Sequence, residues 1–142
     1  MDIKLLTKNY LKSHVDSFKN IIHEFDNEYW EDEHFLIDLP RKWESSLYAE
    51  NEDELTGFII SSNKGDMFHI HKFFVARNYR SCGIGAQLLN GFENIVKGTF
   101  MCNKVSLKVD QKNFKALRFY LKSGFVKKEE ISDMFVLEKV LA

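Results

Sequence analysis

The stretch Arg80-Ser81-Cys82-Gly83-Ile84-Gly85-Ala86 decides the fold, because it joins two different hydrophobic patterns. Before it, the run Phe68–Val75 is rich in aromatic and β-branched residues, as a strand is. After it, apolar residues return every three or four positions up to Gly98, which predicts an amphipathic helix. Glycines at such a junction let the backbone approach a ligand, and the first N–H groups of a helix favour an anion. The segment therefore predicts a loop that binds a pyrophosphate.

Two common phosphate-binding motifs do not fit this loop. The dinucleotide fingerprint requires a third glycine where Leu88 stands, and the P-loop requires a Gly-Lys-Ser/Thr sequence that the chain lacks. The pattern that fits is Arg-x-x-Gly-x-Gly. A tight structural turn would also account for its two glycines.

A second segment, Asn113–Phe125, follows after one predicted strand at Lys104–Val109. Asn113 is a favourable N-cap for a helix, and Gly124 suits a left-handed C-cap. Ala116 and Tyr120 lie four residues apart on one helix face. An ordinary capped helix with a core tyrosine would have the same features.

Together these two segments resemble the cofactor-binding segments of the GCN5-related N-acetyltransferase (GNAT) family. The resemblance covers roughly Phe68–Phe125 and departs from the family at Asn78, where a proline is common. It implies acetyl-CoA (coenzyme A) as the cofactor, with its pyrophosphate on the loop amides. The cofactor-binding residues that it implies are the backbone positions Phe73 and Val75, the loop residues Arg80, Ser81, Cys82, Gly83, Ile84, Gly85 and Ala86, and the helix residues Asn113, Ala116 and Tyr120.

The resemblance also implies catalytic roles. It places Tyr120 near the CoA sulfur, where a phenol with a pKa near 10 can protonate the departing thiolate. The run His69-Ile70-His71 resembles the serotonin (arylalkylamine) N-acetyltransferases, in which two histidines in this spacing relay the proton of the amine through water. Strand alternation predicts that both rings share one face, and an imidazole pKa of about 6.5 suits proton acceptance near neutrality. Two histidines on a solvated strand face, or one in the core, would also explain the pattern.

The segment Glu24–Glu33 holds six acids and three aromatic residues. In the GNAT family the region after the first helix commonly borders the acceptor pocket. Acids with aromatic rings could hold a cationic amine by charge and cation–π attraction. A solvated acidic helix surface is the other explanation, and we prefer it.

The resemblance implies an acetyl-CoA-dependent N-acyltransferase that acts on the primary amine of a small molecule. A protein N-terminal or lysine acetyltransferase, and a non-catalytic acyl-CoA-binding module of the same fold, stay open as alternatives. A homodimer is also compatible with the resemblance, since small members of this fold often dimerise.

Composition also bears on other kinds of protein and site, namely nucleic-acid binding, disulfides, metal sites and membrane spans. The formal net charge of −1 gives no reason to expect nucleic-acid binding. Cys82 and Cys102 are too few for a disulfide framework, and nothing beside Cys82 marks a nucleophile. The other histidines lack ligand spacing, so no metal is predicted. No apolar run suggests a signal peptide or a membrane span, so we expect a cytoplasmic protein.

The remaining pattern predicts an α+β fold in one domain, 1–142: a mixed, twisted GNAT sheet that splays apart after Val75, with helices on both faces. The predicted strands are Ile3–Leu6, Leu47–Glu50, Thr56–Ser62, Met67–Val75, Lys104–Val109 and Phe135–Val140, and the predicted helices follow Leu11–Phe25, Ile84–Gly98 and Asn113–Ser123, with short helices between Asn27 and Ser46.

Overall fold

A computed structural model describes residues 1–25 and 28–142. Its strands form one mixed sheet with the order β1-β2-β3-β4-β5-β7-β6. The elements are β1 (Asp2–Leu5), α1 (Lys8–Ile22), α2 (Asp32–Leu36), α3 (Lys42–Ser45), β2 (Leu47–Asn51), β3 (Glu54–Asn63), β4 (Phe68–Val75), a 3₁₀ turn (Arg77–Tyr79), α4 (Ile84–Gly98), β5 (Lys104–Asp110), α5 (Phe114–Lys122), β6 (Val126–Ile131) and β7 (Met134–Val140).

Two buried clusters lie on opposite faces of this sheet. The first is built on α4, with Tyr120 of α5, and the second on α1 and Phe35 of α2. Alternation along β3 feeds both clusters, because Ile59 enters the first while Phe58 and Ile60 enter the second. The predicted α+β architecture, with helices on both faces of a mixed sheet, is confirmed.

The sheet opens between β4 and β5. Their parallel pairing ends at Ile70 and Leu107, although β4 continues to Val75. Beyond that point β4 remains paired with β3, and β5 with β7. The predicted splay is confirmed, but its predicted start after Val75 is wrong, because the pairing of β4 with β5 already ends at Ile70 and Leu107.

A β-bulge lies at the start of this opening. Ile60 of β3 pairs with Lys72 and Ser61 pairs with Ile70, so His71 has no partner on β3. One extra residue shifts the alternation of the strand and increases its twist. The bulge therefore places His71 and Lys72 on the same face and turns β4 away from β5.

Several predicted boundaries differ from the structure. Helix α1 ends at Ile22 rather than at Phe25, and the first strand ends at Leu5. The expected short helices are α2 and α3, while Asn27 lies outside the described residues. Strand β6 was not predicted, because all six of its residues are exposed and its sequence, Val-Lys-Lys-Glu-Glu-Ile, does not alternate. Pairing with β7 forms this edge strand.

Candidate active site

The loop after β4 presents backbone N–H groups to solvent. Ser81 and Gly83 have φ values of 66° and 82°, which place their backbones in the left-handed region. The first helical hydrogen bond of α4 runs from the N–H of Gln87 to the carbonyl of Gly83, at 3.1 Å. Among the described residues, no acceptor pairs with the N–H groups of 81–86. A run of free donors at the start of a helix is suited to an anion such as a pyrophosphate.

The two glycines of the loop differ in whether the structure requires glycine. A Cβ on Gly83 would meet no atom within 4 Å, so its positive φ is what disfavours a side chain there. A Cβ on Gly85 would lie 3.6 Å from the ring of Phe119 and 3.7 Å from Val75. These are ordinary van der Waals distances, so the packing of α4 against β4 and α5 does not by itself require a glycine at 85.

Arg80 braces the loop from the side of α1. Its Nε donates to the carbonyl of Val75 at 3.2 Å, and its guanidinium carbon lies 4.2 Å from the ring centroid of Phe25. Glu24 accepts a hydrogen bond from the N–H of Arg77 at 2.8 Å and lies 3.9 Å from Arg80. Sequence reasoning missed Glu24 and Phe25 as partners of the loop, because they lie more than fifty positions away along the chain.

Asn113 caps α5 as predicted. Its side chain accepts a hydrogen bond from the N–H of Ala116 at 3.2 Å. Gly124 has a φ of 101°, which is the left-handed conformation predicted for the end of this helix. These two residues fix where α5 begins and ends, and they set the position of Tyr120 on it.

Tyr120 projects from α5 into the first buried cluster. Its ring centroid lies 6.1 Å from that of Phe73, 5.5 Å from that of Phe119 and 5.6 Å from that of Phe125. No hydrogen bond joins its hydroxyl to another described residue. Burial raises the pKa of Tyr120, and the negative charge of Glu28 raises it further. The phenol is therefore protonated near neutral pH and can donate a proton.

His69 and His71 share one face of β4, as strand alternation predicted. It is the face opposite to the one that Tyr120 packs against. His69 Nδ1 is hydrogen-bonded to Ser106 Oγ at 2.8 Å, and His71 Nε2 to Ser62 Oγ at 2.7 Å. Burial, reinforced by nearby positive charge, lowers the pKa of each histidine to about 4. The expectation that these imidazoles titrate near 6.5 is therefore wrong. Both are neutral at pH 7, since losing water penalises the charged form.

The opening of the sheet connects these two groups. Phe73 points to the face of Tyr120, while His71 lies on the other face two residues earlier. Two residues of strand span about 7 Å. A ligand lying in the opening along β4 would thus have the phenol on one side and the imidazoles on the other.

Most described acids of the Glu24–Glu33 segment already have partners. Glu28 forms an ion pair with Lys72 at 2.9 Å, and Asp32 with Lys19 at 2.8 Å. Glu31 accepts a hydrogen bond from the hydroxyl of Tyr29 and belongs to the capping box of α2. Asp26 and Asn27 lie outside the described residues. These pairings favour an acidic helix surface over a pocket for a cationic amine.

Two further observations concern the described residues only. Within 1–25 and 28–142, no three histidine, cysteine or acidic side chains come together in a way that could hold a metal ion. No helix in these two ranges has the length and apolar character to cross a membrane.

Comparison with known proteins decides the family. The model of the acetyltransferase (GNAT) family matches residues 15–125. The chain belongs to the GNAT acetyltransferase family. The matched region includes the opening between β4 and β5, the loop before α4, and Tyr120.

Two curated proteins named as N-acetyltransferases match part of the chain. The chain is 34% identical over 77 residues to an uncharacterized N-acetyltransferase of Methanocaldococcus jannaschii, covering 54% of this chain and 49% of that protein. It is 26% identical over 82 residues to a probable spermine N(1)-acetyltransferase of Bacillus subtilis subsp. natto, covering 52% of this chain and 54% of that protein. The chain thus spans about half the length of the curated relatives it matches.

A solved structure matches almost completely. The crystal structure of Ard1 from Thermoplasma volcanium superposes with a TM-score of 0.85 at 25% identity, covering 99% of this chain and 97% of that one. The sheet and its helices are therefore those of a GNAT fold.

Proposed function

We propose that this chain transfers an acetyl group from acetyl-CoA directly to the primary amine of a small molecule. The observation that carries this proposal is the arrangement around the opening between β4 and β5. A protonated phenol lies on one side of β4, two neutral imidazoles lie on the other, and a loop of free N–H groups follows the strand.

The residues present fit acetyl-CoA. The N–H groups of 81–86 suit its pyrophosphate, and the edge of β4 from His71 to Val75 is not paired with β5. An unpaired strand edge offers donors and acceptors to the amide groups of a pantetheine arm. Phe73 and Val75 would hold that arm, with Ala116 and Asn113 of α5 beside it. Bound acetyl-CoA would supply the activated thioester.

Tyr120 is proposed as the general acid. Its hydroxyl is free to donate to a departing thiolate, and its raised pKa keeps the proton in place until that moment. The surrounding rings of Phe73, Phe119 and Phe125 hold the phenol in one position.

His69 and His71 are proposed to move the proton of the amine. A group with a pKa of about 4 does not retain a proton taken from an ammonium whose pKa is near 10. The pair would therefore pass the proton on, through Ser62, Ser106 and water, rather than store it. We infer a relay rather than a single strong base.

The two buried clusters share one sheet, which supports treating 1–142 as one catalytic unit.

The function is tested by following CoA release from acetyl-CoA with arylalkylamines, polyamines, aminosugars, amino acids and peptide N-termini side by side. Saturable release with a small amine supports the proposal. Release with peptides alone would assign a protein acetyltransferase. Tight CoA binding without release for any amine would assign a non-catalytic acyl-CoA-binding module.

A further inference from the structure

The two histidines line an open cleft on the face of the sheet that carries α1 and α2. The cleft has a volume of about 400 Å³. None of the described residues that line it is acidic. The residues that line it are Lys64, Met67, His69, His71, Ser106 and Lys108.

The charge of this cleft is positive. Lys64 lies in the turn between β3 and β4, and Lys108 lies on β5, two residues beyond Ser106. Neither ammonium forms an ion pair with a described carboxylate. Since both imidazoles are neutral, the two lysines set the charge of the cleft. The two lysines act on the histidines that line the cleft, because both contribute to the lowered pKa of His69.

Carboxylates lie beside the cleft without lining it, and one of them, Asp66, belongs to the same turn as Lys64. Glu138 of β7 stands opposite Ser106 in the register between β5 and β7, which places it on the same face. It is half-buried, and it forms no ion pair with another described residue. The described lining itself carries the two lysines and no carboxylate, so the cleft is positive even with Glu138 and Asp66 beside it.

The cleft continues away from the opening along β4. His71 is two residues from Phe73 and His69 is four, or about 7 and 13 Å along an extended strand. An acceptor whose amine lies at the opening would therefore extend its remaining atoms over His71 and His69, toward Lys64 and Lys108.

We propose that the acceptor carries an anionic group, a carboxylate or a phosphate, several bonds away from its amine, and that Lys64 and Lys108 bind this anion. The inference rests on the proposed function, because it assigns the acceptor of that same site. A polyamine would bring a second positive charge toward the two lysines, and like charges repel. The resemblance to a probable spermine N(1)-acetyltransferase makes a polyamine the rival acceptor.

The test compares acceptors of equal length that differ only in the charge of the far end. Linear ω-amino carboxylates, their amides and the corresponding diamines form three matched series, and ω-aminoalkyl phosphates separate a phosphate site from a carboxylate site. At low ionic strength we expect kcat/KM to be about tenfold higher for the anionic member than for the amide, and lowest for the diamine. Raising the salt concentration should reduce the difference.

Two variants identify the groups responsible. Lys64→Gln and Lys108→Gln should each reduce the anion-to-amide ratio of kcat/KM severalfold, and the double change should bring it close to one. Lys97→Gln, at the far end of α4 and on the opposite face of the sheet, should leave the ratio as it is. Circular dichroism checks that each variant is folded.

A separate binding measurement distinguishes this inference from the proposed function. In the presence of CoA, calorimetry with the ω-carboxylates lacking the amine reports anion binding even if no acetyl transfer occurs. No transfer to any amine would overturn the proposed function. Transfer that favours amides or diamines, with a ratio unaffected by the lysine variants, would overturn the anionic acceptor while leaving the enzyme in place.

Discussion

The imidazole rings of His69 and His71 meet edge to face, with centroids 5.0 Å apart and planes inclined at 71°. Each ring is anchored to a different neighbouring strand, His69 through Ser106 of β5 and His71 through Ser62 of β3. The pair therefore lies where the parallel pairing of β4 and β5 ends, with His69 inside that pairing and His71 just beyond it. Its geometry depends on three strands at once, which links the histidines to the stability of the sheet as well as to catalysis.

The two histidines should act jointly in catalysis. In a relay, either ring partly replaces the other, so each single His→Gln change should reduce the rate modestly. The fold-loss of rate in the double variant should then exceed the product of the two single fold-losses. A double-mutant cycle on kcat/KM measures this coupling. With imidazole pKa values of about 4, the wild-type rate should have no limb near 6.5 that arises from these residues. A pH–rate profile that rises near pH 6.5 only when the histidines are present would contradict the lowered pKa values. Activation free energies that simply add in the double variant would contradict the relay.

The same histidines should make stability depend on pH. Their folded pKa values lie below the unfolded value of about 6.5, so the unfolded chain binds more protons between pH 6.5 and 4. The free energy of unfolding should therefore fall as the pH drops through this range. Urea unfolding of the wild type and of the double His→Gln variant should show a smaller loss in the variant. Parallel curves for the two proteins would mean that the imidazoles charge freely in the folded state.

Tyr120→Phe keeps the ring and removes the proton donor. We expect kcat to fall about 10²-fold, with acetyl-CoA affinity nearly unchanged, because general acid catalysis usually contributes 10² or more. Tyr10→Phe is a matched control, since that hydroxyl is hydrogen-bonded to Glu50 at 2.7 Å, away from the opening. Near-normal turnover of Tyr120→Phe at saturating substrate would show that another group or water protonates the thiolate.

Gly83→Val should weaken acetyl-CoA binding by at least about tenfold, because a β-branched residue resists a φ of 82° and the loop must change its conformation. Gly65→Val is the control, because Gly65 has a φ of 84° and also lacks neighbours within 4 Å of an added Cβ. The two variants should lose similar stability, but only Gly83→Val should lose affinity in calorimetry. Equal affinity in both would remove the loop from the cofactor site.

Phe25→Leu tests the brace behind the loop. It removes the ring over which the guanidinium of Arg80 lies, and a cation–π contact at a partly exposed site contributes about 0.5–1 kcal/mol. Acetyl-CoA affinity should fall about two- to fivefold, although Phe25 itself does not line the loop. Arg80→Met, which also removes the charge, should have the larger effect. If Phe25→Leu binds acetyl-CoA as tightly as the wild type, the stacking does not position the loop.

Local features of this protein followed from sequence alone. The cap at Asn113, the left-handed Gly124 and the apolar face of α4 depend on residues within a few positions of one another, and such patterns specify helix ends and faces directly. The shared face of His69 and His71 followed in the same way from the two-residue period of a strand. These features were sufficient to predict two candidate cofactor segments and to predict the family.

Tertiary structure decided everything that depends on distant partners. Strand β6 has no pattern of its own and exists through its pairing with β7, and the opening begins at Ile70 because a bulge meets the end of a parallel pairing. The pKa values of His69 and His71 fall because strands and lysines from other parts of the chain surround them. Burial and electric fields act through space, so no local pattern in the sequence could predict a positive cleft beside two neutral imidazoles.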